Sequence, residues 1–453
     1  MNVAAPLAPL ASHPLLVLLT TVMTLLGLAF LLGRLAQRLG LPAVVGELLA
    51  GVLVGPSLLG NLFPAASQWL FPPSAPEQIH LVDAVGQLGV LLLVGITGTH
   101  LDTRLMRHRG RTAALVSLSG LLLPLGMGIA LGFVLPHALV AGHGRGVFAL
   151  FLGVAMCVSA IPVIAKTLSD MRLLHRNIGQ LILTAGMIDD AVGWLLLSVI
   201  SAAATTGVST GNLSLSIGYL LAFVLFAGTV LRVVIRRAMS LAAKADGSGP
   251  AIAVAVLFML GGGLLTHALG MEPIFGAFVV GILLARSEAG QAKLAPLRTV
   301  TLSVLAPLFL ATAGLRMDLT ALARPAVALS AVAVLAVAIA GKFAGAYLGA
   351  RLSRLSRAEG LALGAGMNSR GVVEVIIALT GLRLGVLDTA AYTIIVLVAV
   401  VTSLMAPPLL RRAMARIELR EDERLREIDH DIWHGHRPAR VTDVDAEDLG
   451  DAA

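Results

Sequence analysis

Apolar residues run in long blocks along this chain, and most polar residues fall between them. Cut at charges and at Gly/Pro clusters, the blocks cover residues 14–33, 41–60, 83–100, 113–135, 147–168, 177–204, 213–240, 250–270, 273–287, 299–316, 325–352, 358–382 and 389–411. A helix needs about 20 apolar residues to cross the hydrocarbon core of a bilayer. The pattern therefore predicts an all-α polytopic membrane protein with about thirteen transmembrane helices, the ninth of them short. After 411 the pattern changes. Residues 412–453 are mixed in charge and poor in apolar side chains, and include Arg420-Glu-Asp-Glu-Arg424. They predict a charged cytoplasmic tail that starts as a surface helix and ends disordered. The tail is too short for a second folded nucleotide-binding domain.

The charges between the blocks test this count. One set of alternate loops holds Arg34 and Arg38; Arg104, Arg107, Arg109 and Arg111; Lys166, Arg172 and Arg176; Arg232, Arg236, Arg237 and Lys244; Arg286, Lys293 and Arg298; and Arg351, Arg354 and Arg357. The other set holds only Arg145, Arg316, Arg324 and Arg383. Basic residues mark cytoplasmic loops, so the asymmetry places the N-terminus outside and the C-terminus inside a cell (inner) membrane. A missed span would scramble the alternation. The block at 14–33 has no Lys or Arg before it and is long for a signal peptide, so it reads as a first spanning helix.

Composition agrees. The chain has 453 residues, 57% hydrophobic and 13% charged, against about 25% charged in soluble domains. The net charge of +7 does not point to nucleic acid, because the positives are scattered between apolar blocks and only 13 Phe, 3 Tyr and 3 Trp are available for stacking. The single cysteine, Cys157, excludes a disulfide framework and a cysteine-built metal site. His13 and His267 have no metal-ligand spacing. Nothing suggests an enzyme or a resident cofactor.

The chemistry concentrates in a few polar residues inside the blocks. Asp189 and Asp190 sit together in the run 178–204. A charge near the bilayer centre costs roughly 2.5–3.5 kcal/mol on insertion scales, and two like charges oppose each other further. The pair is either a polar clamp between helices or a site for a cation and a proton. Neighbours on a helix point about 100° apart, so the two carboxylates can face different surroundings. Two blocks carry helix breakers: Met156-Cys-Val-Ser159-Ala-Ile-Pro162 and Gly364-Ala-Gly366-Met-Asn368-Ser369-Arg370-Gly371-Val-Val-Glu374. Proline withholds a backbone donor, and irregular backbone is tolerated at membrane depth only inside protein or along a cavity. Ser159 can satisfy a freed backbone group or offer its hydroxyl to a cation, though a merely kinked helix would use the same residues.

The two broken blocks lie seven spans apart and so cross in opposite directions, as in inverted-topology repeats with two broken crossing helices. Arg370 and Glu374, four apart, can pair along one face, structurally or as part of proton sensing. Lys342 lies mid-span and needs a carboxylate partner. Asn368 and Glu47 are further candidates; Glu47 serves either helix packing near the cytoplasmic surface or the ion path.

These residues resemble the monovalent cation:proton antiporter-2 family, within the wider sodium/proton antiporter superfamily. The likeness covers about residues 14–411 and is carried by Leu41-Pro-Ala-Val-Val-Gly-Glu-Leu-Leu-Ala-Gly-Val-Leu-Val-Gly-Pro-Ser-Leu-Leu-Gly60, Asp189-Asp190, Pro307-Leu-Phe-Leu-Ala-Thr-Ala-Gly-Leu-Arg316 and Asn368-Ser-Arg-Gly371. The resemblance implies a sodium/proton antiporter-like fold and a homodimer. Core helices (about 113–204 and 325–411) would move against dimer or scaffold helices (about 41–100 and 250–316). It implies that Asp190 binds Na⁺ or the proton, that Asp189 pairs with Lys342, and that Ser159 sits at the ion site. Gly98-Thr99-His100 departs from the Gly-Leu-Glu of many relatives, so no third-span acid is carried over. The expected activity is exchange of a monovalent cation, Na⁺ first, with Li⁺ or K⁺ as other candidates, for H⁺ by alternating access. K⁺/H⁺ exchange is the alternative; an organic-anion carrier and a non-transporting subunit are disfavoured by the carboxylate pair.

Overall fold

The structure is a computed structural model that describes residues 11–72, 77–99, 103–142, 144–206, 210–285, 292–419 and 423. These residues are helical apart from turns, loops and an isolated antiparallel bridge between Val140 and Leu387. His100, part of the departure noted above, and most of the charged tail lie outside the described residues.

The main helices are α1 (Ser12–Arg38), α2 (Ala43–Val54), α3 (Glu77–Thr99), α4 (Thr103–Val134), α5 (Gly144–Cys157), α6 (Ile161–Asp170), α7 (Asn177–Thr206), α8 (Thr210–Phe226), α9 (Arg232–Lys244), α10 (Gly249–Ala268), α11 (Pro273–Ala285), α12 (Ala295–Val300), α13 (Ala306–Leu315), α14 (Pro325–Leu352), α15 (Arg357–Met367), α16 (Val372–Arg383) and α17 (Thr389–Met414). One π-helical turn, Ala227–Leu231, joins α8 to α9, and another, Thr301–Leu305, joins α12 to α13. Among the described residues eleven segments are long and apolar enough to cross a membrane, and the bent pair α15–α16 makes a twelfth. The predicted ninth span is α11, only 13 residues long. At 1.5 Å per residue it covers about 20 Å, short of a hydrocarbon core about 30 Å thick.

The outer surface is apolar, with Val134, Leu329 and Leu264 more than two-thirds exposed. Side chains of this kind face lipid in a polytopic protein. Inside, one buried cluster joins α4, α6, α7, α14, α15 and α17. A second joins α3, α9, α10 and α11, and a third joins α1, α2, α3 and α13. A larger cluster binds these layers together and contains most of α5 and α16.

Backbone contact holds α2 against α13. A Cβ on Gly51 would lie 1.9 Å from the Ala311 carbonyl, and one on Gly314 would lie 2.1 Å from that of Leu48. Neither helix can move away without giving up its other neighbours. We expect Gly51→Ala to destabilise the protein by about 1–3 kcal/mol, the usual range for overpacking. A thermal-unfolding measurement in detergent checks this, and an unchanged midpoint would contradict so close a contact.

The chain after α17 folds back on the start of α7. The Arg176 guanidinium donates to the carbonyls of Ile417 and Glu418 at 3.0 and 3.1 Å. The Glu423 carboxylate accepts the Asn177 amide at 2.6 Å and lies 3.1 Å from Arg176 Nε. A carboxylate at a helix N-terminus meets both a free backbone donor and the positive end of the dipole.

Candidate functional site

The polar residues inside the membrane blocks meet where two helices are interrupted. The α5–α6 block loses its helical backbone over Val158–Ala160, and Pro162 opens α6. The α15–α16 block loses it over Asn368–Gly371, with a bend of 46°. The interruptions are narrower than the sequence suggests, because Gly366 and Pro162 are still helical. The two breaks satisfy each other. The Ala160 amide donates to the Ser369 carbonyl at 3.2 Å, and Ser159 Oγ lies 2.7 Å from the Met367 carbonyl. Backbone groups freed at this depth have no water to turn to, so each break supplies partners for the other.

Two cations take the carbonyls at the end of α5. Lys342 Nζ donates to Cys157 O at 2.6 Å. Arg370 donates to Ala155 O at 2.9 Å and to Met156 O at 2.5 Å, and also reaches Ala338 O at 3.0 Å. These are the carbonyls left without intrahelical partners at a helix C-terminus, where the dipole is negative. Arg370 also meets Glu374 Oε1 at 3.3 Å, the pairing expected from their spacing. Its own carbonyl accepts the Ser403 hydroxyl.

Asp189 and Asp190 have opposite surroundings, although both are fully buried. Asp189 is saturated. It accepts from Ser117 Oγ at 2.6 Å, lies 2.9 Å from Ser159 Oγ, and pairs with Lys342 Nζ at 2.5 Å. Ser159 has one proton and two acceptors in reach, Asp189 and Met367 O, so it can donate to only one at a time. Asp190 has no hydrogen-bond partner on either oxygen; the Ile161 amide at the start of α6 is the backbone group that faces it. Both side-chain ends of Asn368, the Ser369 hydroxyl and Glu374 Oε2 are likewise buried without a partner. Native proteins rarely leave buried polar atoms unmatched, and an isolated buried carboxylate is among the most costly. A proton and a small hard cation can each neutralise such a carboxylate.

Glu47 is not part of this assembly. It is half-buried where α1 meets α2, and a Cβ on Gly33 would lie 3.4 Å from its Cγ. Ser117 was missed by the sequence reading; a lone hydroxyl in an apolar block carries little signal. Also missed were the partners of two basic residues on the sparse side of the charge pattern. Arg316 pairs with Asp83, and Arg383 meets both oxygens of Glu272 at 2.7 and 2.9 Å.

Comparison with known proteins gives a consistent picture. The family described as "Sodium/hydrogen exchanger, transmembrane" matches residues 22–416. The Na(+)/H(+) antiporter NhaS4 of Synechocystis sp. is 32% identical over 402 residues, covering 88% of this chain and 97% of that protein. The K(+)/H(+) antiporter 1 of Saccharomyces cerevisiae is 29% identical over 381 residues, 81% of this chain but 43% of the yeast protein. The chain also spans about half the length of several Arabidopsis relatives it matches. Among solved structures, the sodium proton antiporter MjNhaP1 from Methanocaldococcus jannaschii at pH 8 superposes with a TM-score of 0.62 at 17% identity, over 89% of this chain and 97% of that one.

Proposed function

The chain belongs to the sodium/hydrogen exchanger family as a monovalent cation/proton antiporter, and from that premise we propose that it exchanges Na⁺ for H⁺ at Asp190 by alternating access. The observation that carries this reading is the contrast between two adjacent buried carboxylates, one saturated and one without a partner. A carboxylate takes a proton or a hard monovalent cation, not both. That competition couples the two fluxes as long as the site opens to one side at a time. Asp189, held by Ser117 and Lys342, shapes the site and sets its charge. Ser159 and Asn368 offer oxygens beside the crossing, and Arg370 with Glu374 fixes the interrupted backbone.

In this reading the helices of residues 113–204 and 325–411 form a core that carries Asp190. It moves against a scaffold made from 41–100 and 250–316. Two copies of the chain pair through the scaffold. The alternation of basic loops orients the N-terminus outside and the C-terminus in the cytoplasm of the cell membrane.

Antiport in proteoliposomes, read as recovery of a quenched ΔpH dye with each cation in turn, tests the cation. Na⁺ is expected to collapse the gradient and K⁺ to leave it largely intact. An equal or larger response to K⁺ would favour K⁺/H⁺ exchange, the activity in the name of the yeast relative. No response to either cation would overturn the reading.

A further inference from the structure

The hydroxyls buried in these helices mostly bond back to their own backbone. Thr97 donates to Leu93 O, Thr184 to Gln180 O, Thr266 to Gly262 O and Thr402 to Val398 O. That local bond is the cheap solution for a hydroxyl on a buried helix. Ser198 and Ser201 do not use it. Their Oγ atoms are buried without partners, and so is Trp194 Nε1. The three side chains are 0–3% exposed, as is Asp190.

The spacing makes these four residues one feature. Positions 190, 194, 198 and 201 are separated by 4, 4 and 3 residues on α7. At 100° per residue they fall within an arc of about 80°, and the eleven steps rise about 16 Å. That is about half the thickness of a hydrocarbon core. The stripe therefore runs from the middle of the membrane to the edge away from Arg176. The N-terminal half of α7 has no such row, since its buried Thr184 is satisfied by Gln180 O at 2.8 Å.

Trp194 sits where α7 meets α11. Its ring lies 6.3 Å from that of Phe278, centroid to centroid, at an interplanar angle of 50°. Both residues are 1% exposed. α11 bridges two clusters: Ile274, Phe275 and Phe278 pack in the large cluster with Trp194, and Ala277, Val280, Leu283 and Leu284 pack with α3, α9 and α10. A shift of α11 against α7 would part the two rings.

We propose that the approach of water and a hydrated monovalent cation to Asp190, from the face opposite Arg176, runs along Ser201, Ser198 and Trp194, with the Trp194–Phe278 contact as its gate. The unmatched hydroxyl oxygens replace hydration as the cation advances, the indole N–H donates to an accompanying water, and the indole face adds attraction for a cation. The route rests on the reading of Asp190 as the carrier, but it is tested without measuring transport.

The test is thiol labelling in proteoliposomes, in a Cys157→Ala background, with a membrane-impermeant cationic methanethiosulfonate. Ser201→Cys and Ser198→Cys are expected to react from the face opposite Arg176. Leu195→Cys, on the neighbouring surface that is 36% exposed, is expected to react at least tenfold more slowly, because a thiol facing lipid is not ionised. Trp194→Ala is expected to raise the labelling rate of Asp190→Cys at least tenfold. Trp194→Phe, which keeps a ring against Phe278, is expected to leave that rate near its starting value and also reports on folding. Positions 198 and 201 reacting no faster than 195, or reacting only from the Arg176 side, would overturn the route. Labelling of the stripe together with wild-type antiport in Asp190→Asn would keep the route and remove the carrier. An inert stripe with antiport lost in Asp190→Asn would do the reverse.

Discussion

Asp190→Asn is expected to lower cation-driven proton movement at least a hundredfold while leaving a folded protein. Chemically, an amide cannot alternate between a proton and a cation, so the coupling disappears with the charge. Structurally, the backbone group that faces the Asp190 carboxylate is the Ile161 amide, and the side-chain oxygen of Asn can still face it. The change in stability is therefore expected to stay within about 1 kcal/mol, the scale of substitutions that break no network. Asp189→Asn is the informative contrast. It leaves Lys342 buried with no carboxylate and weakens the contacts to Ser117 and Ser159. Breaking a buried ion pair from one side is destabilising by about 3–5 kcal/mol. Thermal unfolding and dye-quench antiport on the same preparations separate the two carboxylates. Wild-type antiport in Asp190→Asn would sink the assignment.

Lys342→Gln is expected to be the more damaging change to the fold. Lys342 holds Asp189 and, at the same time, the last carbonyl of α5. Gln can keep one of these contacts but supplies no charge. A loss of about 3–5 kcal/mol follows from the stranded carboxylate. The double variant Asp189→Asn/Lys342→Gln removes both charges and should recover much of that loss, so the cycle should show strong coupling. The same pair bears on transport. On the proposed mechanism, a cation arriving beside Asp190 would compete for Asp189 and loosen its hold on Lys342. Exchange is then expected to carry net charge, in a way that depends on the Asp189–Lys342 pair. Capacitive currents on solid-supported membranes should therefore lose their voltage dependence in Lys342→Gln, or shift in pH profile. Unchanged electrogenic currents would remove the lysine from the coupling and leave Asp190 untouched.

Much of the fold was legible because hydrophobic length is a strong signal. The block 325–352 coincides with Pro325–Leu352, and 177–204 falls short of Asn177–Thr206 by two residues. Charges fixed three of these limits, at Arg176, Arg324 and Arg351. The block 113–135 began too late. α4 starts at Thr103, since arginines at 104–111 break an apolar pattern but not a helix. The π turns left no trace in the sequence, because they are set by packing rather than by residue type. Within the site, the charged residues were legible because a charge in an apolar block has few cheap explanations. Their partners were less so. Ser117 looks like any small residue in a membrane helix. Two of the carbonyls that Arg370 binds belong to a segment more than 200 residues away, and no local pattern announces them. Glu47, a conspicuous acid, lies in the ordinary contact of α1 with α2, one of the two roles its position allowed.

The Asp189–Lys342 contact also has a history in time. The two residues are 153 positions apart, and a ribosome makes them in order. At 5–20 residues per second the carboxylate waits roughly 8–30 s for its ammonium. Ser117 and Ser159 are made before it, 72 and 30 residues earlier, and are at hand as α7 enters the bilayer. The Glu423 carboxylate that closes the start of α7 comes last, 246 residues after Asn177. The helix that carries both aspartates is thus inserted early and completed late. During synthesis it depends on serines, and on whatever holds nascent helices beside the insertion machinery, until the last tenth of the chain emerges.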